Sequence, residues 1–400
     1  MNVSDKSVDV VVVGLGAFGS SIAWRLAARG ISVFGAEQHT ISNSFGSSHG
    51  LTRNFRSISQ NHTLLYPLAL LSRELWFELE GNSSNTLLTQ TNALIMGQKD
   101  KGLIASALAV VAKYGINPRV LEAADIRRQY PIFGNITDED IAIVDELGGM
   151  LFPEKCVTAA ANAATRHGAD LQENVEVFGH SLDGSGLVVQ TSNGDIRANQ
   201  IVYATGAWTA ELLPRLKLKS LRIPQCWFTY QHDSDATPSL ADLPPFQRDL
   251  GNVGRLWGHG AAQLGGLTKL GTHGDPTRDR NVYTNNIDRA VHSEDVAHLS
   301  KNVAHSFPNV NPVPAKSKIC LLTESVDNQF VLGPVGDPRV FVASGGSGQG
   351  FKHATGVGEI VADMCQGIKS SIDTGFMHAQ RMIEPPNGAA VAQRPTSPIS

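Results

Sequence analysis

Two glycine-rich runs at opposite ends of the chain are suited to holding an anion: Gly14-Leu15-Gly16-Ala17-Phe18-Gly19 and Ala343-Ser344-Gly345-Gly346-Ser347-Gly348-Gln349-Gly350-Phe351-Lys352. In the first, Gly14 permits a tight turn, Gly16 lets backbone N–H groups approach a pyrophosphate, and Gly19 allows close helix packing, with Leu15, Ala17 and Phe18 between them. Seventeen residues separate Gly19 from Glu37, the spacing that brings a carboxylate to the ribose 2′-OH of an adenine dinucleotide. The second run ends in a cation, Lys352, and offers Gly345, Gly348, Gln349, Gly350 and Phe351 as further contacts for the same anionic cofactor.

Other places carry reactive or charged groups. Lys269 and His273 fall in Leu267–His273, which reads as a strand, so both side chains share one sheet face with Gly271 making room between them. Arg53 and Arg56 are three apart, and a helical turn brings them to one side, where they could grip a carboxylate or pair with surface acids. Cys320, alone in Lys318-Ile319-Cys320-Leu321-Leu322-Thr323, reads as a small buried hydrophobe or as a thiol activated by cations such as Lys318. The other cysteines, Cys156, Cys226 and Cys365, are far apart and form no CxxC pair, so neither a zinc site nor a disulfide framework is expected.

The elements that position these groups are readable nearby. Val10 to Val13 is a core strand, Ser20 to Arg29 a helix stopped by Gly30, and Ile31 to Ala36 a second strand. A nicotinamide-binding chain should then run straight into further strand–helix units. Here a Ser/Asn/Gly-rich loop, His39 to Ser48, leads to His49-Gly50-Leu51-Thr52-Arg53-Asn54-Phe55-Arg56 and a helical stretch from Leu64 to Glu80. The motif Tyr203-Ala204-Thr205-Gly206-Ala207-Trp208 follows much later. A cofactor domain assembled from early, middle and late segments suits a large flavin nucleotide. With 400 residues and a formal charge of -4, the chain can bury a large core and has no basic footprint for nucleic acid. No apolar run of about 18 residues marks a membrane span, and the N-terminus lacks a secretory pattern. The Pro-, Ala- and Ser-rich residues 383–400 are expected to be disordered.

Five stretches in order, GLGAFG with Glu37, SSHGLTRNFR, YATGAW, GGLTKLGTH preceding Cys320, and ASGGSGQGFKHATGVGE, resemble the monomeric sarcosine oxidase family of FAD-dependent amine oxidoreductases, related more distantly to D-amino-acid oxidase. The resemblance runs from about Val10 to about Gly367. It implies an α/β fold: a Rossmann-type FAD-binding domain (1–88, 148–217 and 324–382) with an inserted mixed-sheet substrate domain (89–147 and 218–323). It further implies FAD joined to Cys320 by a thioether, Lys269 assisting oxygen reduction, and His273 lining the same cavity. Arg56 and Lys352 clamp a substrate carboxylate, Arg53 forms the wall near the flavin, and His49, Ser48 and Thr52 lie near the ring. Val175, Thr205, Gly206 and Trp208 complete the cofactor site.

Two positions depart from sarcosine-specific members: Leu322 replaces an aromatic hydroxyl, and Gln349 stands where those enzymes often have His. A larger or more apolar N-substituted amino acid is therefore expected, with Trp257 as an aromatic wall. The reaction implied is oxidation of a C–N bond to an imine, with O2 reduced to H2O2, by a monomeric cytoplasmic enzyme. A flavin-dependent dehydrogenase, or a tailoring oxidase of a bulkier amine, is the alternative.

Overall fold

The computed structural model describes residues 7–59, 62–184, 186–231, 237–263, 265–273 and 282–383. The tail expected to be disordered lies, from residue 384 on, outside the described residues.

The valine run of the first strand, Ser7–Val13, is buried on both faces: Val10 and Val12 join one apolar cluster, Val8, Val11 and Val13 another. An uninterrupted apolar strand is what a central parallel position demands, and Ser7–Val13 pairs in parallel with both Val33–Glu37 and Ile196–Tyr203. Asp170–Glu173 and Asp337–Ser344 extend the parallel array on its two sides, and the hairpin of Val177–Asp183 and Gly186–Thr191 attaches antiparallel to the start of Ile196–Tyr203. Helix Ala17–Ala28 packs on this sheet between helices Pro153–Arg166 and Ala354–Cys365. Two glycines set these distances. A Cβ on Gly19 would lie 1.7 Å from the Gly14 carbonyl oxygen, and one on Gly358 would lie 2.8 Å from the backbone of Ser21.

A second eight-stranded sheet has the order Lys316–Glu324, Lys219–Phe228, Thr268–His273, Arg255–His259, Phe246–Asp249, Ala93–Gln98, Asp140–Asp145, Arg119–Glu122. Its strands alternate. Phe228, Phe246, Leu256 and Leu270 point into a core with Leu299 and Val303 of helix Ser293–Ser306. The residues between them, Gln247, Trp257, His259, Lys269 and His273, line the opposite face. A small sheet of Arg53–Phe55, Gly149–Leu151 and Leu88–Gln90 completes the sheet structure.

The helical turn expected at Arg53 and Arg56 is not formed: Arg53–Phe55 is a strand paired with Gly149–Leu151. Gly271 also works differently from expectation, because the Trp257 indole occupies the space over it; a Cβ there would lie 2.1 Å from that ring.

Adding a methyl at the helix crossing tests the packing. Gly358→Ala is expected to cost about 1–3 kcal/mol through overpacking, read as a lower melting temperature; an unchanged temperature would show that the helices can separate freely.

Candidate active site

One cavity of about 450 Å³ lies between the parallel sheet and the polar face of the second sheet. Gly14 to Phe18, Glu37, Ser48, Val175, Thr205, Gly206 and Trp208 line it, as do Arg53, Arg56, Trp257, Lys269, His273, Cys320, Leu322 and the loop from Gly345 to Lys352. Of the positions singled out from sequence, Gly19 and His49 do not line the cavity. Gly19 serves the turn above it. His49 is buried behind the wall, with neither ring nitrogen hydrogen-bonded among the described residues, and burial beside Arg53 and Lys318 pushes it down to about 3.

The residues present fit an FAD. Helix Ala17–Ala28 presents its N-terminal end with no acidic residue in its first turn, as an anion requires. Gly14 has φ +84°, and a Cβ there would lie 2.9 Å from the Ala204 carbonyl oxygen. The Glu37 carboxylate takes the Leu15 N–H at 2.9 Å and the His39 N–H at 3.1 Å, so it braces the glycine turn as well as facing the cavity. Val175 is tied to the same strand end, its N–H donating to Glu37 O at 2.9 Å.

Cations dominate the remainder of the cavity. Lys269, 1% exposed, donates to the carbonyls of Gly50 (2.7 Å) and Thr52 (3.2 Å) and lies 5.0 Å from the centre of the Trp227 ring. Burial, reinforced by the Arg53 charge, holds its ammonium well below the usual lysine range. Lys352, 4% exposed, donates to Arg56 O at 3.0 Å and is pushed down by burial and by Arg56. The Arg56 guanidinium donates to Gln247 Oε1 and is drawn down to about 10 by burial. Arg53 reaches Thr52 O and Ser47 O, each at 2.7 Å, and brings Nη2 to 3.7 Å from Cys320 Sγ. The cation bonded to the thiol is therefore Arg53, not Lys318. Arg53, Lys269 and Lys352 form no ion pair among the described residues.

Several groups here escaped the sequence reading. Asp145, behind the wall, accepts from Ser57 N (2.6 Å), Ser57 Oγ (2.7 Å) and Ile58 N (3.0 Å), and its charge acts on both Arg56 and Lys352. Gln247 holds Arg56. His259 faces Lys269 across the strand pair. Its Nδ1 must donate to Gly260 O (2.6 Å), since a carbonyl can only accept, so Nε2 accepts from the Thr52 hydroxyl (2.9 Å). The alternation of Arg255–His259 was the available signal: a residue two beyond Trp257 shares its face.

Burial and Lys269 depress His259 to about 3, whereas an unfolded histidine titrates near its ordinary value. Between about pH 6.5 and 3 the unfolded chain binds a proton that the folded site refuses, so stability falls as pH falls. This histidine alone should remove about 2 kcal/mol at pH 5 relative to pH 7. His259→Gln is expected to lose less melting temperature than the wild type between those two pH values; an identical loss would show that His259 accepts a proton when folded.

The chain is also similar to known proteins over nearly its whole length. The chain is 27% identical over 379 residues to the monomeric sarcosine oxidase of Bacillus sp. (strain B-0618), covering 93% of this chain and 96% of the relative. It is 27% identical over 368 residues to the N-methyl-L-tryptophan oxidase of Yersinia pestis (strain Pestoides F), covering 91% and 96%. Among solved structures, a variant of NikD, described as an unusual amino acid oxidase essential for nikkomycin biosynthesis, superposes with a TM-score of 0.79. It is 25% identical, over 93% of this chain and 97% of that one. The match to the family described as FAD dependent oxidoreductase spans residues 9–364, and the chain belongs to that family.

Proposed function

We propose that the protein is an amino acid oxidase that acts on the C–N bond of a secondary amine, N-methylated or cyclic, with dioxygen as electron acceptor. The observation that carries this reading is the group of cations lining one cavity: Lys269 and Lys352, both buried, with Arg53 and Arg56, both half-buried. Burying such charges is costly unless an anion arrives. Arg56 and Lys352 receive the substrate carboxylate, the planar guanidinium matching its two oxygens. Lys269 holds a positive charge where oxygen takes up electrons, and the poorly solvated setting strengthens that effect.

FAD, when bound, supplies the two-electron chemistry. In balance, the CH–NH unit loses two electrons and two protons to become C=N, O2 gains them as H2O2, and water hydrolyses the imine to a carbonyl compound and an amine. Cys320 is the proposed attachment point for the cofactor: it lines the cavity, and its sulfur accepts from the Arg53 guanidinium at 3.7 Å. The division into a cofactor domain (1–88, 148–217 and 324–382) and a substrate domain (89–147 and 218–323) is supported by the two sheets.

A substrate larger than sarcosine is supported by two side chains. Gln349 turns its amide to Asn328 O at 3.2 Å, and Leu322 places an apolar wall beside Gly348 and His273. Trp257 adds an aromatic surface whose indole N–H is buried and has no acceptor among the described residues. The relatives named for sarcosine and for N-methyl-L-tryptophan bracket this size range. We take the enzyme to act as a cytoplasmic monomer; no helix among the described residues is long and apolar enough to cross a membrane.

Lys269→Met is expected to slow reoxidation by O2 by roughly 10²- to 10³-fold while leaving reduction by the amine within a few-fold. Stopped-flow traces in which both half-reactions fall equally would reject the role given to Lys269. Acid precipitation is expected to leave flavin in the pellet of the wild type and in the supernatant of Cys320→Ser; flavin in the wild-type supernatant would remove the covalent link.

A further inference from the structure

Lys269 is only as well placed as the two carbonyls that hold it, and both belong to an unusual turn. Gly50 has φ +100° and Leu51 φ +69°, and Thr52 N donates back to Gly50 O at 2.8 Å, which closes a three-residue turn around Leu51. At Gly50 any side chain would be strained by that φ, and its Cβ would also displace the Gln225 amide, whose Oε1 would lie 2.0 Å away. Leu51 is different: it is a branched residue in the left-handed region and 56% exposed, so burial contributes little to its conformation. Such a residue is strained and persists only where its surroundings over-determine it.

What over-determines it is Glu154. Oε1 of Glu154 accepts from Gly50 N at 2.7 Å and from Leu51 N at 3.1 Å, the two amides that the turn leaves on its outer side. Glu154 is fixed in turn. It lies in the first turn of helix Pro153–Arg166, and its carbonyl accepts from Ser42 Oγ at 3.1 Å. It does not line the cavity. On the inner side, Gly50 O and Thr52 O converge on Lys269 Nζ, and the Thr52 hydroxyl meets His259.

We propose that Glu154 is a positioning residue for Lys269: by pinning both outer amides of a strained turn, it aims the Gly50 and Thr52 carbonyls that hold the ammonium in the cavity. The role is chiefly geometric: the Glu154 charge also raises Lys269, but less than burial and Arg53 lower it. An amide side chain keeps an acceptor oxygen for the same two N–H groups, whereas methionine fills the space and accepts neither.

This inference rests on the reading of Lys269 as the cation of the oxygen step, and the test separates the two. In the holoenzyme, Glu154→Met is expected to slow flavin reoxidation by O2 about tenfold, with reduction by an N-methyl amino acid changed less than about threefold. Glu154→Gln is expected to remain within about twofold of wild type in both. Amide hydrogen exchange over residues 50–52 should quicken in Glu154→Met and stay slow in Glu154→Gln, and this readout needs no turnover. Unchanged exchange and reoxidation in Glu154→Met would overturn the proposal, as would Glu154→Gln failing as badly as Glu154→Met. If Lys269→Met reoxidises normally, the oxygen role of Lys269 fails on its own, while the exchange data still decide whether Glu154 pins the turn. Should Glu154→Met not accumulate, Glu154→Ser, too short to reach both amides, carries the same expectations.

Discussion

Ammonium groups taken out of water and given carbonyl oxygens instead of carboxylates are the costly items in this structure, and much of its architecture exists to hold them. Lys269 and Lys352 both lie buried, each bonded to backbone oxygens, and each is driven toward its neutral form by burial. Keeping such groups in place takes rigid surroundings on every side. The second sheet supplies the strand for Lys269, the loop after Asp337–Ser344 supplies Lys352, and the segment from Gly50 to Ile58 supplies oxygens to both. Asp145 and Glu154 stand behind that segment and take its N–H groups. The acids thus reach the cations both through the backbone they hold and by their charge, Glu154 on Lys269 and Asp145 on Lys352, without themselves lining the cavity.

The two-faced second sheet solves the packing problem that this arrangement raises. A period of two lets one strand deliver Leu270 to the core and Lys269 to the cavity with no loop between them. Side chains on such a strand are more accurately placed than on a loop, because the register with neighbours fixes them: His259 opposite Lys269, Trp257 opposite Gly271. The glycine at 271 is the concession that lets the indole sit against the sheet there.

What could be read in the sequence was what is local. The turn from Val10 through Gly19 to Glu37 declares itself because its strand, helix and carboxylate are adjacent in the chain, and the shared face of Lys269 and His273 follows from spacing alone. Arg53 and Arg56 misled, because spacing of three suggests a helical turn; the positive φ values at Gly50 and Leu51 instead lead the chain into a strand, and the partner that stabilises it, Gly149–Leu151, lies nearly a hundred residues away. The groups that were missed share a cause. Gln247, His259, Asp145 and Glu154 acquire their roles from strand pairing or from a backbone N–H in a distant segment, and no local pattern marks a carboxylate whose task is to hold someone else's amide.

The parallel sheet joins strands that are far apart in the chain: Ser7–Val13 lies beside Ile196–Tyr203, which lies beside Asp337–Ser344. Until that last strand and the loop through Lys352 have left the ribosome, the cavity lacks a wall and one of its cations. At about 5–20 residues per second, the first strand then waits roughly 20 to 70 s for Asp337–Ser344, two strands away in the same sheet. A complete cavity therefore exists only once residue 352 has been made, and a nascent chain stalled before residue 337 carries the glycine turn but no complete place for the flavin.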